Sequence, residues 1–582
     1  MNISNPLRRV CAAGLCLSLC LCGCTLLEGG DTVQDAGETP QATHRVDIAQ
    51  PESIDTAGGR EDTAVYSQDD PDSLVYFYVT VRMGTEAEGT NHTFDEVKNA
   101  IRFVNSAHVD NSVYAEALVQ VGDENGPVSG MLGYGQSASN ATIRIRGNSS
   151  TTMPLKSYKL SLDDDAGLWR GQSNIALNKH AFDSSRLRNK LYFDLLREVP
   201  EVPSLRTQFV RLFIKDETAG QTEFEDYGVY TQVEVPGKKY LGNHGLDTSG
   251  YLYKAISFNF EMKEGLKNFD DPEFDPEVFK TILNCKGRQD NARLIEMVEA
   301  VNDMTRDINE VVDTYFDRDN YIAWMAFNIL MGNIDTTEQN FYLYSPLNSQ
   351  KWYFIPWDSD ASLYRQEREL KGGSGDYDDW ESGLSIYWGV MLHQRFLKVE
   401  QNRLDLAAKV EEFYQQFSPQ RVQALADSYN QVIRQDLYHM PDLLNLTVTT
   451  DEREELLGSI GEEITINYDL FQKSLNALMP FWQWSEDRGD TVHLSWGEAY
   501  DFQAKSVTYQ VTVSQFPDMS NPVYQESGLS QLEVDLPKTV LTPGTYYMKV
   551  EATSEDGRVT RSMNKSQVNG AYYPGVYQFT VN

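Results

Sequence analysis

Residues 333–360 read NIDTTEQNFYLYSPLNSQKWYFIPWDSD. NFYLY and KWYFIP are aromatic and β-prone, and SPLNSQ between them carries Pro346 and Asn348, residues that favour turns. The pattern predicts a hairpin, 340–344 against 351–356. Asp335 stands before the first strand; Asp358 and Asp360 follow the second. In an antiparallel ribbon these positions share one end, so the carboxylates should converge. Converging buried carboxylates repel unless a cation compensates. Oxygen donors such as Asp358, Asn340 and Asp360 suit Mg²⁺ or Mn²⁺ rather than zinc, with phosphates completing the shell. Asp335 followed by Asn340 also has the D-x-x-x-x-N spacing of a kinase catalytic loop. That spacing alone is a weak signal, because Asp and Asn are also ordinary turn formers. Two acids directly after a buried-looking strand strengthen it.

Upstream of the hairpin the chain reads as β-rich. Strand patterns occur at 74–81, 114–122, 141–147, 157–162, 207–215 and 227–235, with a helix over 184–199. Thr93 and Glu96 form a capping-box signature, and Phe94, Val97, Ile101 and Val104 continue it at helical spacing. From about residue 292 the period becomes helical. A β-rich half followed by a helix-rich half is the α+β class, and the acids lie at the joint. Residues 487–582 carry short alternating strands at sandwich spacing, including TVHLSWGEA and PGTYYMKVEAT, and resemble a fibronectin type III-like module.

The 582 residues call for two or three domains. Formal net charge is −36, which argues against a nucleic-acid partner. MNISNPLRRV is a positive leader, CAAGLCLSLCL is apolar but short for a bilayer span, and LCGC resembles a bacterial lipobox. That resemblance implies lipidation at Cys24, a signal peptide over 1–24, and a protein anchored on the extracytoplasmic face of a bacterial membrane. Residues 25–73 are acidic and lack apolar periodicity, so they read as a disordered tether. Five of six cysteines fall in the leader, which leaves Cys285 as an inert thiol and excludes an intrachain disulfide.

Seven motifs in order over residues 75–440 resemble the CotH family of atypical, kinase-like proteins. They are IRIRGNSS (from Ile143), MPLKSYKLSL (Met153), DSSRLRNKLYFDLLRE (Asp183), YGVYTQVE (Tyr227), GYLYKA (Gly250), NIDTTEQNFYLY and KWYFIPWDSD. The resemblance implies a kinase-related domain over 74–486 that transfers phosphate from ATP to Ser of a protein substrate. By position, Asp335 matches the catalytic acid and Asp358 the metal-binding acid. Asn340 is the natural second ligand, and Asp360 is either a ligand or a holder of the loop. The phosphate lysine is open between Lys156, Lys159 and Lys254, because Leu155 and Ser161 depart from the family pattern. Arg146 and Asn148 would cradle phosphate or shape the turn. Glu234 would pair with a lysine or contact the nucleotide. Arg188 and Asn189 would fix their helix to the sheet. No P-loop or G-x-G-x-x-G motif occurs.

Two other readings compete. In one, the kinase-like core is non-catalytic and binds an envelope or extracellular partner through the fibronectin-like module. In the other, the carboxylates belong to a glycosidase, which fits less well because that chemistry needs two acids flanking a cleft.

Overall fold

The computed structural model describes residues 58–101, 103–104, 107–108, 112–147, 149–371 and 380–582. Its first half is built on β1 (Leu74–Arg82), β2 (Ala115–Asp123), β3 (Ala141–Arg146), β4 (Ser157–Leu162), β5 (Asn174–Asn178), β6 (Thr207–Asp216) and β7 (Glu225–Glu234). The strands pair in the order β1-β6-β7-β5-β4-β3-β2, and β2 pairs back to β1. The sheet is therefore closed, and only the β1–β6 pairing is parallel among these. Alternation explains the closure. Ile143 and Ile145, Tyr158 and Leu160, Ile175 and Leu177 point into one core, together with Phe77, Val119 and Leu212. The residues between them, Arg144, Arg146 and Lys159, occupy the outer face.

That outer face meets a second core formed with the helical half. The helix Arg318–Met331 is its axis; every residue from Asn320 to Met331 is buried. Asp317 caps its start, and Gly332, at φ +60°, ends it in the left-handed conformation. Beside it runs a four-stranded sheet in the order Leu283–Cys285, Tyr251–Ala255, Phe341–Ser345, Tyr353–Pro356. Asn320 joins helix to sheet: its Oδ1 accepts from Phe354 N (2.7 Å) and its Nδ2 donates to Phe354 O (3.2 Å).

The C-terminal region is all-β. A three-stranded sheet (483–487, 491–496, 533–537) and a five-stranded sheet (524–529, 507–514, 544–554, 559–561, 576–581) enclose their own core around Trp496, Tyr509, Val511 and Phe579. The chain is thus α+β with a sandwich-like end, as its pattern predicts. Among the described residues, no helix is long and apolar enough to cross a membrane.

Several local expectations change. The helix at Thr93 has its capping box but stops at Asn99, and residues 103–104 pair as a short strand instead of extending it. The tether expected over 25–73 is ordered from residue 58 onward. There Asp69 accepts from Arg206 Nε (3.0 Å) and Nη2 (2.6 Å), and Glu61 bonds His244 Nδ1 (2.6 Å). Charged residues without apolar periodicity dock here because buried arginines and a histidine await them. Cys24, Asn148 and residues 25–57 lie outside the described residues.

Candidate active site

The hairpin forms as read. Phe341 pairs with Pro356 and Tyr344 with Tyr353, and Trp357 N donates to Asn340 O at 2.9 Å. Asn340 and Asp358 therefore leave the same end of the ribbon. Both have left-handed backbones, φ +57° and +51°. Asn and Asp tolerate that region better than most residues, yet two such positions facing each other mark stored strain, which concentrates at functional sites.

Asp335 joins them from the other direction. Asn340 Nδ2 donates to Asp335 Oδ2 at 2.7 Å, and Gln339 Nε2 donates to Asp335 Oδ1. Both oxygens are held, which orients the carboxylate and leaves Asn340 Oδ1 as the amide's ligand atom. Among the described residues, the neighbouring Thr336 hydroxyl is buried without a hydrogen-bond partner.

The Asp358 carboxyl is strongly perturbed. Burial, then the adjacent charge of Asp360, push its carboxyl up to about 6, against the opposing pull of Arg146, Lys254 and His180. Arg146 and Lys254 both lie over the Trp357 ring, at 5.6 and 5.1 Å. Asp360 is turned aside toward His180 Nδ1 (3.2 Å). His180 Nε2 meets Asn189 Nδ2 at 3.2 Å, and Asn189 Oδ1 accepts from Ser359 N at 3.1 Å. Asn189 thus holds the acidic loop from the helix Arg188–Leu196. Arg188 does the same further along, with Nε on Leu363 O (2.7 Å) and Nη1 against Asp183 and Glu367. The role expected for both, fixing the helix to the sheet, is replaced by fixing it to the loop after the hairpin.

The remaining candidates separate by position. Lys254 is fully buried in the strand beside the hairpin, opposite Tyr342, and acts on Asp358. Lys159 lies on the outer barrel face opposite Arg144. Lys156 precedes that strand and donates to Thr151 O (2.6 Å), within the turn that Gly147, at φ +92°, begins. Glu234 is aligned with Ile175, whose side chain enters the barrel core, whereas Lys159 is aligned with Ala176 on the other face. Glu234 instead accepts from Arg206 N and bonds His244 Nε2 (2.8 Å). Of the two roles expected for Glu234, a lysine partner or a nucleotide contact, the bonds to Arg206 and His244 stand in place of the first. His180 and Trp357 were not singled out from sequence. Trp357 had one signal, a large aromatic directly before paired acids.

Among the described residues, no three His, Cys, Asp or Glu side chains converge into a metal cage. Asp358 and Asn340 nevertheless fit a hard divalent cation that keeps phosphate and water as its other ligands, because a compensating charge removes the penalty on a buried carboxylate. Cys285 is half-buried, and its thiol is pushed up to about 11 by burial, consistent with an inert residue.

Comparison with known proteins bears on the same region. The family model described as "CotH kinase protein" matches residues 143–482, more than half of the chain. The inner spore coat protein H of Bacillus subtilis (strain 168) is 26% identical over 246 residues, 42% of this chain and 64% of the relative. The chain therefore spans somewhat less than two thirds of that relative's length. The crystal structure of the Helicobacter pylori proinflammatory kinase CtkA aligns with 55% of this chain and 92% of its own, at 10% identity and a TM-score of 0.26. By the extent of the family match, this chain belongs to the CotH kinase family, and it is a kinase-like protein.

Proposed function

We propose that the protein is an extracytoplasmic, membrane-anchored kinase that moves the terminal phosphate of ATP to a Ser hydroxyl of a protein substrate. One observation carries this reading: Asp335 is clamped to Asn340 beside a buried, charge-destabilised Asp358 that faces Arg146 and Lys254. Asp335 orients the acceptor hydroxyl and takes its proton as the Ser oxygen attacks phosphorus and the phosphorus–oxygen bond to ADP breaks. Arg146 and Lys254 neutralise charge on the phosphates. When bound, Mg²⁺ or Mn²⁺ on Asp358 and Asn340 would supply electrostatic stabilisation of the transferring group. Asp360 holds the loop through His180. Anchoring by a lipid on Cys24 follows from the LCGC sequence alone and belongs to the same proposal.

The test is transfer of radiolabel from ATP with Mn²⁺ to the protein itself and to a casein-like acceptor, wild type against Asp335→Ala. Label that depends on Asp335 supports the reading. Nucleotide affinity unchanged in Asp358→Ala would overturn the metal assignment. A second reading, a non-catalytic surface protein binding an envelope partner, is favoured by the engagement of Lys156 with its own turn. It predicts no transfer by the wild type.

A further inference from the structure

Arg144 lies two residues before Arg146 on β3 and is only 2% exposed. Its Nη1 donates to Ile145 O at 3.1 Å, and its guanidinium lies 5.9 Å from the Tyr114 ring. Among the described residues, its Nε and Nη2 are buried without a hydrogen-bond partner. Directly across the strand pair stands Lys159, a second cation on the same face. Buried charged donors left unmade cost more than exposed ones. A fold that keeps these two Arg144 donors unmade is set up for an anion that would satisfy them.

The site already described names the anion. Arg146 lies over Trp357, next to Asp358, and side chains two apart on a strand point to the same face about 6.6 Å apart. Arg144 is therefore one step along the barrel face from Arg146, the cation that acts on Asp358. We infer that Arg144 is a phosphate-binding residue that takes the phosphates remaining with the nucleotide, while Asp358 and Asn340 serve the one that is transferred. This inference rests on the kinase reading for the identity of the ligand, and on the two unpaired nitrogens for the presence of an anion site.

Arg144→Met keeps the length of the side chain and removes its charge; Arg144→Gln is the second variant if the first folds poorly. Two measurements on the purified protein decide the matter: the thermal midpoint without ligand, and affinity for ATP with Mn²⁺ and for inorganic tripolyphosphate without metal. The expected result is opposed signs. The midpoint rises, because an unsatisfied buried charge is gone, while both affinities fall about ten- to a hundredfold. A lower midpoint with unchanged affinities would show that Arg144 only packs against Tyr114, and would overturn the inference while leaving the kinase reading intact. Tripolyphosphate binding that depends on Arg144, in a protein that transfers no phosphate, would uphold the anion site and end the kinase reading.

Discussion

Asp358 illustrates a residue whose local energetics run against the fold. It is buried, beside another acid, and at φ +51°. Asp358→Asn removes the charge and suits the left-handed backbone. Without metal at neutral pH it should raise stability by about 1–3 kcal/mol. It should also abolish detectable transfer, as melting curves and label transfer will show; a destabilised variant would contradict the burial cost assigned here. His244 shows the opposite sign. Burial lowers its basicity, but the charge of Glu234 and hydrogen bonds to Glu234 and Glu61 outweigh this and raise it to about 9. Because the folded value lies above the ordinary 6.5, this stabilisation is complete below pH 6.5 and disappears as pH rises through 9. Stability should fall by at most about 1.4 kcal/mol per pH unit across that window. In His244→Gln this slope should flatten, as denaturant melts at pH 6.5, 7.5 and 9 will reveal.

At the scale of elements, the segment 58–73 docks through charge. Asp69 accepts from Arg206 and lies within 4 Å of Arg170 and Arg197. Asp69→Ala leaves Arg206, 4% exposed, with its main carboxylate gone, and should cost about 3–5 kcal/mol. An effect below 1 kcal/mol in denaturant titration would show that the segment is only loosely attached. The hairpin itself was legible from NFYLY, KWYFIP and the turn between them. The strand Asn174–Asn178 was not singled out, nor were the helices Ile308–Tyr315, Thr450–Gly458 and Glu462–Ser474. The helix Thr450–Gly458 buries only three side chains, so its apolar period is faint. The first helix was read too long because Ile101 continued its spacing, yet Ile101 is exposed.

Across the whole molecule, the helical half and the sandwich touch through Trp388. It is 2% exposed, packs 5.3 Å from Tyr500 and 5.6 Å from Phe502, and has Lys565–Glu381 (2.7 Å) as a nearby ion pair between the same two parts. Trp388→Ala should destabilise by about 3–5 kcal/mol and split unfolding into two transitions, one for each core, in calorimetry. A single unshifted transition would mean that the two parts do not share stability through this residue. The contact joins the turn before the helix Met391–Lys398 to the loop between the strands 491–496 and 507–514, and no local pattern announces it.

From the order of residues alone came the α+β class, the hairpin, the alternating sandwich strands and the placement of Asp335, Asn340 and Asp358 at one ribbon end. All of these depend on periodicity and turn chemistry, which act over a few residues. Only the tertiary structure closed the barrel, put Arg144 and Lys159 on its outer face, turned Asp360 to His180, joined Glu234 to Arg206 and His244 and docked residues 58–73. Those outcomes depend on pairing between strands and on buried charges far apart in sequence, whose partners are set by packing rather than by spacing.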